Sequence, residues 1–359
     1  MGLQEFWFIL VAVLFIGFFV LEGFDFGVGM LMAPLGRMGG GPLARGTTPI
    51  AEPGAKEKHR RAVLNTIGPV WDGNEVWLIT AGGAMFAAFP GWYATVFSGL
   101  YLPLFAILVA MILRVVAIEW RGKIDDPKWR AWADIGIAVG SWLPAILWGT
   151  AFAILVRGVP VDADKQMQLG FTDVINPYTL LGGLATGGLF LLHGAAFLAL
   201  KTAGAVRANT LAVAKRIALP VLGIVGAFGL WTELAHGKPW TWVAFGLAAL
   251  SLIIAIWLLL KGTHDGWAFV ATTLTVVAVI AMMFGDLYPN LVPSTLNPEW
   301  SLTIHNASSS PYTLKVMTWV AVVTAPLVIA YQAWTYWVFR NRITAERIPD
   351  PIGLPGRVS

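Results

Sequence analysis

Nine stretches of about twenty mostly apolar residues follow one another along this chain, and they constrain its fold more than any other feature. A helix of this length crosses the hydrocarbon core of a bilayer and satisfies its own backbone hydrogen bonds there. The stretches predict helices over residues 6–32, 62–88, 93–119, 133–157, 176–199, 216–235, 239–260, 265–286 and 312–339. We therefore expect an all-α polytopic membrane protein with nine transmembrane helices.

Composition agrees with this class. The chain is 57% hydrophobic and 12% charged, whereas a water-soluble domain carries about twice that share of charge. The first apolar run lacks the basic front and the small-residue cleavage site of a signal peptide, so we expect it to be a retained span. The sequence contains no cysteine, which excludes thiolate metal sites, iron–sulfur clusters and disulfides within this chain.

Basic residues are distributed unevenly between alternate loops. One set of loops and the C-terminal tail hold 19 of the 24 Lys and Arg residues; the opposite set holds four, and Arg114 lies inside a span. By the positive-inside rule, the first set is cytoplasmic, the N-terminus is outside and the C-terminus is cytoplasmic. This topology also accounts for the basic net charge without a nucleic-acid partner. The long predicted cytoplasmic loop from 37 to 60 is rich in Gly and Pro, and the sequence assigns it no function.

Charged side chains are concentrated in the first three predicted spans. Glu22 and Asp25 lie three residues apart on the first span, so they share a helical face. Asp72 and Glu75 repeat this spacing on the second span, where Asp72 is expected about 15 Å into the membrane. Arg114 lies near the cytoplasmic end of the third span. Ionisable residues at this depth are costly and usually face a protein interior or a water-filled path.

Three interpretations of this polar group remain open. Arg114 could neutralise one carboxylate while the others are structural; the carboxylates could form a proton path with Asn74 as a hydrogen-bond partner; or they could hold a sodium or other metal ion. The third interpretation lacks a spaced set of oxygen donors in any loop. We expect no metal site and no catalytic residue in this chain.

Histidine and aromatic residues complete the inventory. His193 is the one histidine clearly within a predicted span, and a bis-histidine heme site needs a facing partner. We therefore expect His193 to hydrogen-bond or pack against a neighbouring helix, and the chain to ligate no heme. The run from Trp334 to Trp337, at the end of the last span, is typical of an aromatic anchor at the membrane interface.

Four segments resemble subunit II of the cytochrome bd quinol oxidases. These are Glu22–Gly29 (EGFDFGVG), Trp71–Ala84 (WDGNEVWLITAGGA), Val316–Val323 (VMTWVAVV) and Tyr331–Ile343. The resemblance covers the length of the chain and is most specific at Trp71-Asp72-Gly73-Asn74.

The resemblance implies a domain organisation. It implies two four-helix bundles plus one extra helix. We divide the chain accordingly into a first bundle with the proton path, a second bundle, an outer loop, a ninth helix and a cytoplasmic tail, at residues 1–157, 158–286, 287–311, 312–340 and 341–359.

The resemblance also implies an activity in a bacterial plasma membrane. A partner, subunit I, carries two b-type hemes, one d-type heme and the quinol site, and the complex reduces oxygen to water with protons from the cytoplasm. Subunit II supports this partner, lines the proton path and holds a structural quinone; small accessory subunits and lipids are further expected partners. Asp72 matches the family's channel carboxylate, with the other predicted path residues being Glu22, Asp25, Asn74, Glu75 and Arg114.

Two rival functions use the same residues differently. A proton-coupled secondary transporter would need broken helices at matching places in two halves, and no such match is visible. A self-sufficient b-type cytochrome would need more histidines within the spans.

Overall fold

The computed structural model describes residues 2–38, 54–349 and 353–355. Parts of the predicted 37–60 loop and of the predicted tail lie outside these residues. The described chain folds into twelve α-helices: α1 (Leu3–Met38), α2 (Ala55–Asn65), α3 (Trp71–Ala88), α4 (Pro90–Gly99), α5 (Tyr101–Trp120), α6 (Pro127–Arg157), α7 (Phe171–Val174), α8 (Pro177–Lys201), α9 (Gly204–His236), α10 (Thr241–Lys261), α11 (Asp265–Leu287) and α12 (Pro311–Val338).

Eight helices in the described part of the chain are long and apolar enough to cross a membrane: α1, α5, α6 and α8 to α12. This confirms an all-α, multi-pass membrane protein. Seven of the nine predicted spans correspond to single helices (α1, α6 and α8 to α12), with ends shifted by a few residues except at α9, which begins twelve residues early. The count of nine remains a prediction, because α3, whose first turn is polar, is not one of these eight helices.

The predicted continuous helix over 62–88 is wrong. The chain forms the short helix α2, turns through residues 66–70 and begins again as α3. Gly68 and Pro69 lie within this turn, where glycine lowers helix propensity and the proline ring restricts the residue before it. The turn remains hydrogen-bonded, with the backbone N–H groups of Val70 and Trp71 donating to the carbonyl of Ile67.

The predicted helix over 93–119 is also divided, at Leu100 between α4 and α5. Pro103 is the third residue of α5. A helix tolerates proline in its first turn, where the backbone N–H groups have no partner within the helix. The residues on both sides of the break at Leu100 are apolar, so hydropathy alone predicts one continuous helix here.

Helix α1 lies at the centre of the described structure and contacts α2, α3, α6, α8, α11 and α12. It packs closely against α8, where Gly27 faces Gly194. A Cβ atom built on Gly27 would lie 2.1 Å from the carbonyl oxygen of Phe190, and one built on Gly194 would lie 2.5 Å from Gly27 Cα. Small residues of this kind let helix backbones approach closely in membranes.

The predicted outer loop at 287–311 is ordered by short elements. Strand β2 (Asn290–Val292) pairs antiparallel with β3 (Leu302–Thr303), and a one-turn 3-10 helix, Pro298–Trp300, lies between them. Near the C-terminus, the predicted tail packs against the connection between α8 and α9. There the Ile343 N–H donates to the Lys201 carbonyl, and the Ala203 N–H donates to the Ile343 carbonyl.

Helix α12 contrasts with α1 because most of its surface is exposed. Leu314 is its one buried residue. At one end, the indole N–H of Trp7 donates to the Leu314 carbonyl and to Thr318 Oγ1, both at 3.1 Å. At the other end, α12 supplies two polar side chains to the site described next.

Candidate functional site

Four charged side chains from three helices meet at the inner face of α1, and we call them the acid cluster: Glu22, Asp25, Glu75 and Arg114. Glu22, Asp25 and Arg114 have no exposed surface, and the Glu75 side chain is 20% exposed. Glu22 and Asp25 lie three residues apart on α1, so both carboxyl groups project from one side of that helix. Of the five charged residues that the sequence concentrates in the first three predicted spans, these four therefore lie together, whereas the fifth, Asp72, does not.

Arg114 is the one cation of the acid cluster. One guanidinium nitrogen, Nη1, forms an ion pair with Glu22 Oε1 and lies 3.6 Å from Glu75 Oε1. The guanidinium carbon lies 4.9 Å from the centre of the Phe26 ring. The opposing helix makes room for this arrangement through Gly140 of α6, where an added Cβ would come within 2.4 Å of Arg114 Cβ.

Charge in the cluster does not balance if every group is ionised. Three carboxylates and one guanidinium give a net charge of −2 (−3 + 1). A buried net charge of this size is unfavourable, so such a cluster binds protons or draws in water. Among the described residues, Glu22 Oε2, Asp25 Oδ1 and Glu75 Oε1 have no hydrogen-bond partner.

Asn74 connects the acid cluster to α12 through a group we call the Asn74 hub: Asn74, Gln332 and Tyr336. Asn74 is fully buried, and its Nδ2 donates to Asp25 Oδ2 at 2.7 Å. Its Oδ1 accepts from Gln332 Nε2 at 2.9 Å and from the Tyr336 hydroxyl at 2.8 Å. The predicted partnership between Asn74 and a carboxylate is therefore present.

Asp72 lies outside this arrangement. Its side chain is exposed, and in the described structure its one hydrogen bond is accepted from the Gly73 N–H at 2.7 Å. The predicted depth within a continuous helix is not observed, because Asp72 lies in the first turn of α3. Asn74 follows Asp72 by two positions, or about 200° around the helix. The two side chains therefore point to different sides of α3.

Sequence reasoning missed Gln332 and misassigned Tyr336. The sequence predicts an interfacial anchor for the aromatic run, yet Tyr336 is half-buried and donates inward to Asn74. Residues four apart occupy the same face of a helix. A glutamine and a tyrosine at this spacing on an otherwise apolar span were the available signal of an inward-facing polar strip.

Beside Glu75 runs an open groove of about 830 Å³, lined by apolar and aromatic side chains of α1, α3, α4, α5 and α6. Two of its lining residues, Trp92 and Trp148, are buried, and their indole N–H groups have no hydrogen-bond partner among the described residues. Buried indole N–H groups usually find a partner. The groove therefore combines a long apolar wall with two unused donors and one carboxyl group.

His193 hydrogen-bonds to neighbouring helices, as predicted. Nδ1 lies 2.8 Å from Thr272 Oγ1 of α11, and Nε2 lies 3.0 Å from the Val20 carbonyl oxygen of α1. The imidazole stacks on the Phe269 ring with the ring centres 4.9 Å apart. Both ring nitrogens are therefore used in holding α8 against α1 and α11.

A second ionic group fastens α2 to the ends of α5 and α6. Arg121 donates to both carboxylate oxygens of Glu57, at 2.6 and 2.9 Å, and to Asp134 Oδ1 at 2.6 Å. Burial by itself lowers the pKa of Arg121, but the hydrogen bonds to Glu57 and Asp134 outweigh that effect and raise the pKa above its usual range. The bidentate geometry is typical of a structural arginine.

Comparison with known proteins gives consistent findings. A family profile described as "Cytochrome bd terminal oxidase subunit II" matches residues 3–339. The chain is 38% identical to "Cytochrome bd ubiquinol oxidase subunit 2" of Bacillus subtilis, over 96% of this chain and 97% of that protein. It is 36% identical to "Cytochrome bd-I ubiquinol oxidase subunit 2" of Escherichia coli K12, over 96% of each.

A solved structure shares the fold. A chain of "The structure of bd oxidase from Geobacillus thermodenitrificans" superposes with a TM-score of 0.74 at 18% identity, covering 94% of this chain and 99% of that chain.

Proposed function

The chain belongs to the family of cytochrome bd terminal oxidase subunit II, and from this premise we propose that its acid cluster lines a path for protons consumed in oxygen reduction. The chain is a subunit of a quinol-oxidising oxidoreductase of respiratory electron transport. The observation that carries the proposal is the excess of buried carboxylates over cations in a cluster that reaches the surface at Glu75.

The contacts suggest how such a path works. Glu75 is the partly exposed member, and Arg114 lies between it and Glu22. The carboxyl oxygens without protein partners, Glu22 Oε2 and Asp25 Oδ1, are the atoms on which protons or water can be held. The positive charge of Arg114 reduces the repulsion between the three carboxylates of the acid cluster. It does not neutralise all of them, so the remaining negative charge stabilises an incoming proton.

We assign Asp72 to the junction with the partner subunit. Its carboxyl group is exposed on a face of α3 that points away from Asn74, so it can contact a neighbouring chain. In this arrangement Asp72 exchanges protons at the boundary while the acid cluster holds them within this chain. The exposed apolar surfaces of α12 and α5 lie on the outside of the molecule and would face the partner or lipid; they include Val320, Leu327, Leu102 and Leu108.

The partner in this proposal is a heme-bearing subunit I, with two b-type hemes and one d-type heme. Bound there, the hemes would carry the electrons of quinol to oxygen. We assign heme ligation to the partner and not to His193, because both ring nitrogens of His193 already hydrogen-bond, to Thr272 and to the Val20 carbonyl. We place the complex in a bacterial plasma membrane, with small accessory subunits and lipids as further partners.

The groove beside Glu75 suits the structural quinone that the family resemblance implies. Its walls are apolar and aromatic, as a polyprenyl chain requires. The unpartnered N–H groups of Trp92 and Trp148 are suited to donate to quinone carbonyl oxygens. We propose that a quinone occupies this groove without taking part in turnover.

We further propose nine membrane crossings with the N-terminus outside. The supporting arguments are the alternation of basic loops and the position of α3, which packs on α1 and would be the ninth crossing. The helix neighbours fit two four-helix bundles, formed by α1, α3, α5 and α6 and by α8 to α11, with α12 as the extra helix. The transporter alternative is not favoured, because the family match extends over nearly the whole chain.

The test replaces Asp72 or Glu75 by its amide in the assembled complex. We expect Asp72→Asn and Glu75→Gln to lower oxygen consumption about tenfold or more while the heme spectrum remains normal. Asp164→Asn, at an exposed loop carboxylate, is the matched control and should leave turnover unchanged. Normal turnover in both Asp72→Asn and Glu75→Gln would refute the path, whereas loss of heme would assign these residues to assembly.

A further inference from the structure

The Asn74 hub has a defined hydrogen-bond direction. Asn74 uses its amide nitrogen toward Asp25 and its amide oxygen toward α12, where two donors converge on it. The distances of 2.7, 2.9 and 2.8 Å are all those of well-formed hydrogen bonds. The amide is fully buried, so water does not compete for these bonds.

Reversing the amide would require two further changes. If Asn74 presented its oxygen to Asp25, its NH₂ group would face the NH₂ group of Gln332, which would have to turn over as well. The Tyr336 hydroxyl would have to accept instead of donate. Gln332 and Tyr336 together therefore favour the orientation in which Asn74 donates to Asp25 Oδ2.

From this geometry we propose that Gln332 and Tyr336 are positioning residues for the proton step, and that they direct the proton on Asp25 to Oδ1. The inference rests on the proposed proton path. Oδ2 is occupied as an acceptor of the Asn74 N–H, whereas Oδ1 is buried and has no hydrogen-bond partner among the described residues. A proton can thus enter and leave at Oδ1 while the hub keeps its hydrogen bonds.

A purely structural role would make a different prediction. Gln332 and Tyr336 lie near one end of α12, and Trp7 holds the helix near its other end. If the pair only fastened α12 to the bundle, removing its hydrogen bonds would weaken assembly without changing how turnover depends on pH. If the pair controls the Asp25 carboxyl, turnover acquires a different pH dependence in a complex that is otherwise intact.

The experiment compares Tyr336→Phe, Gln332→Met and the double variant in membranes containing the whole complex. Tyr331→Phe is the matched control, because Tyr331 lies on the exposed side of the same helix. Oxygen consumption is measured across pH, together with the heme spectrum. We expect normal hemes and a half-maximal turnover displaced by about half to one pH unit toward higher pH in each single variant. The reason is that a freed amide can also present its oxygen to a protonated carboxyl.

The outcomes separate the inference from the function on which it rests. An unchanged pH profile with normal hemes in both single variants would overturn the positioning role, and so would failure of both variants to assemble. If only Tyr336→Phe fails to assemble, Gln332→Met decides, because it leaves the tyrosine in place. Asp25→Asn tests the path itself: full turnover in that variant would refute the proton path, whatever the hub variants show.

Discussion

Removal of the Arg114 guanidinium is the perturbation whose cost the structure defines most clearly. Arg114→Met keeps much of the side-chain length and volume but removes the one cation of the acid cluster. With every carboxyl ionised, the net charge would change from −2 (−3 + 1) to −3. Breaking a buried ion pair by removing one partner costs about 3–5 kcal/mol, because it leaves an uncompensated charge behind.

A compensating change should recover most of this loss. Adding Glu22→Gln to Arg114→Met removes the carboxylate that directly pairs with the guanidinium and returns the net charge to −2. Glu75, the other partner, is partly exposed and can be hydrated, so it needs less compensation. We therefore expect the two substitutions to be non-additive by about 2 kcal/mol or more.

The assay is thermal inactivation of the assembled complex, followed by heme absorbance and oxygen consumption. Arg114→Met should inactivate at a clearly lower temperature than the parent, and the double variant should lie between them. Arg157→Met is the control, because Arg157 is exposed and pairs with Asp173 at 3.8 Å, and such surface pairs contribute about 0–1 kcal/mol. If Arg114→Met behaved like Arg157→Met, the guanidinium would not be balancing a buried charge.

Two other features lead to direct tests. Gly27→Val places side-chain atoms against Phe190 and Gly194, so we expect α1–α8 packing to weaken by about 1–3 kcal/mol in thermal inactivation, whereas Gly223→Ala, which has open space around it, should not destabilise the protein. Equal stability of these two variants would contradict the packing argument. Trp92→Phe combined with Trp148→Phe should lower the amount of quinone extracted from the purified complex while heme content stays normal, and unchanged quinone would remove the indole groups from the proposed site.

Hydropathy and residue spacing account for much of the fold. Seven spans are helices where predicted, because long apolar segments leave a membrane chain few alternatives to helix. The positions of Glu22, Asp25 and Arg114 within their spans predict charges buried in the membrane, and such charges gain most by pairing, as Arg114 does with Glu22. These inferences require only local periodicity and the cost of burying charge.

Other features depend on tertiary packing, which periodicity does not encode. The interruption at Gly68 and Pro69 changes the direction in which Asp72 points. A hydropathy average over the whole span does not detect this interruption. Tyr336 illustrates the same limit: a tyrosine near the end of a span can face lipid headgroups or a neighbouring helix. Only the position of α12 beside Asn74 distinguishes these two orientations.

Because of the turn at residues 66–70, α3 begins at Trp71, whereas an uninterrupted helix would have no start at this point. The backbone N–H groups at the start of a helix carry about half a positive elementary charge, and the field of that charge decays within the first turn. Asp72 is the second residue of α3 and lies within that field. Because the chain bends here, the partial positive charge of the backbone at the start of α3 stabilises the Asp72 carboxylate at the proposed subunit boundary. This stabilisation comes from the main chain and does not depend on a neighbouring side chain.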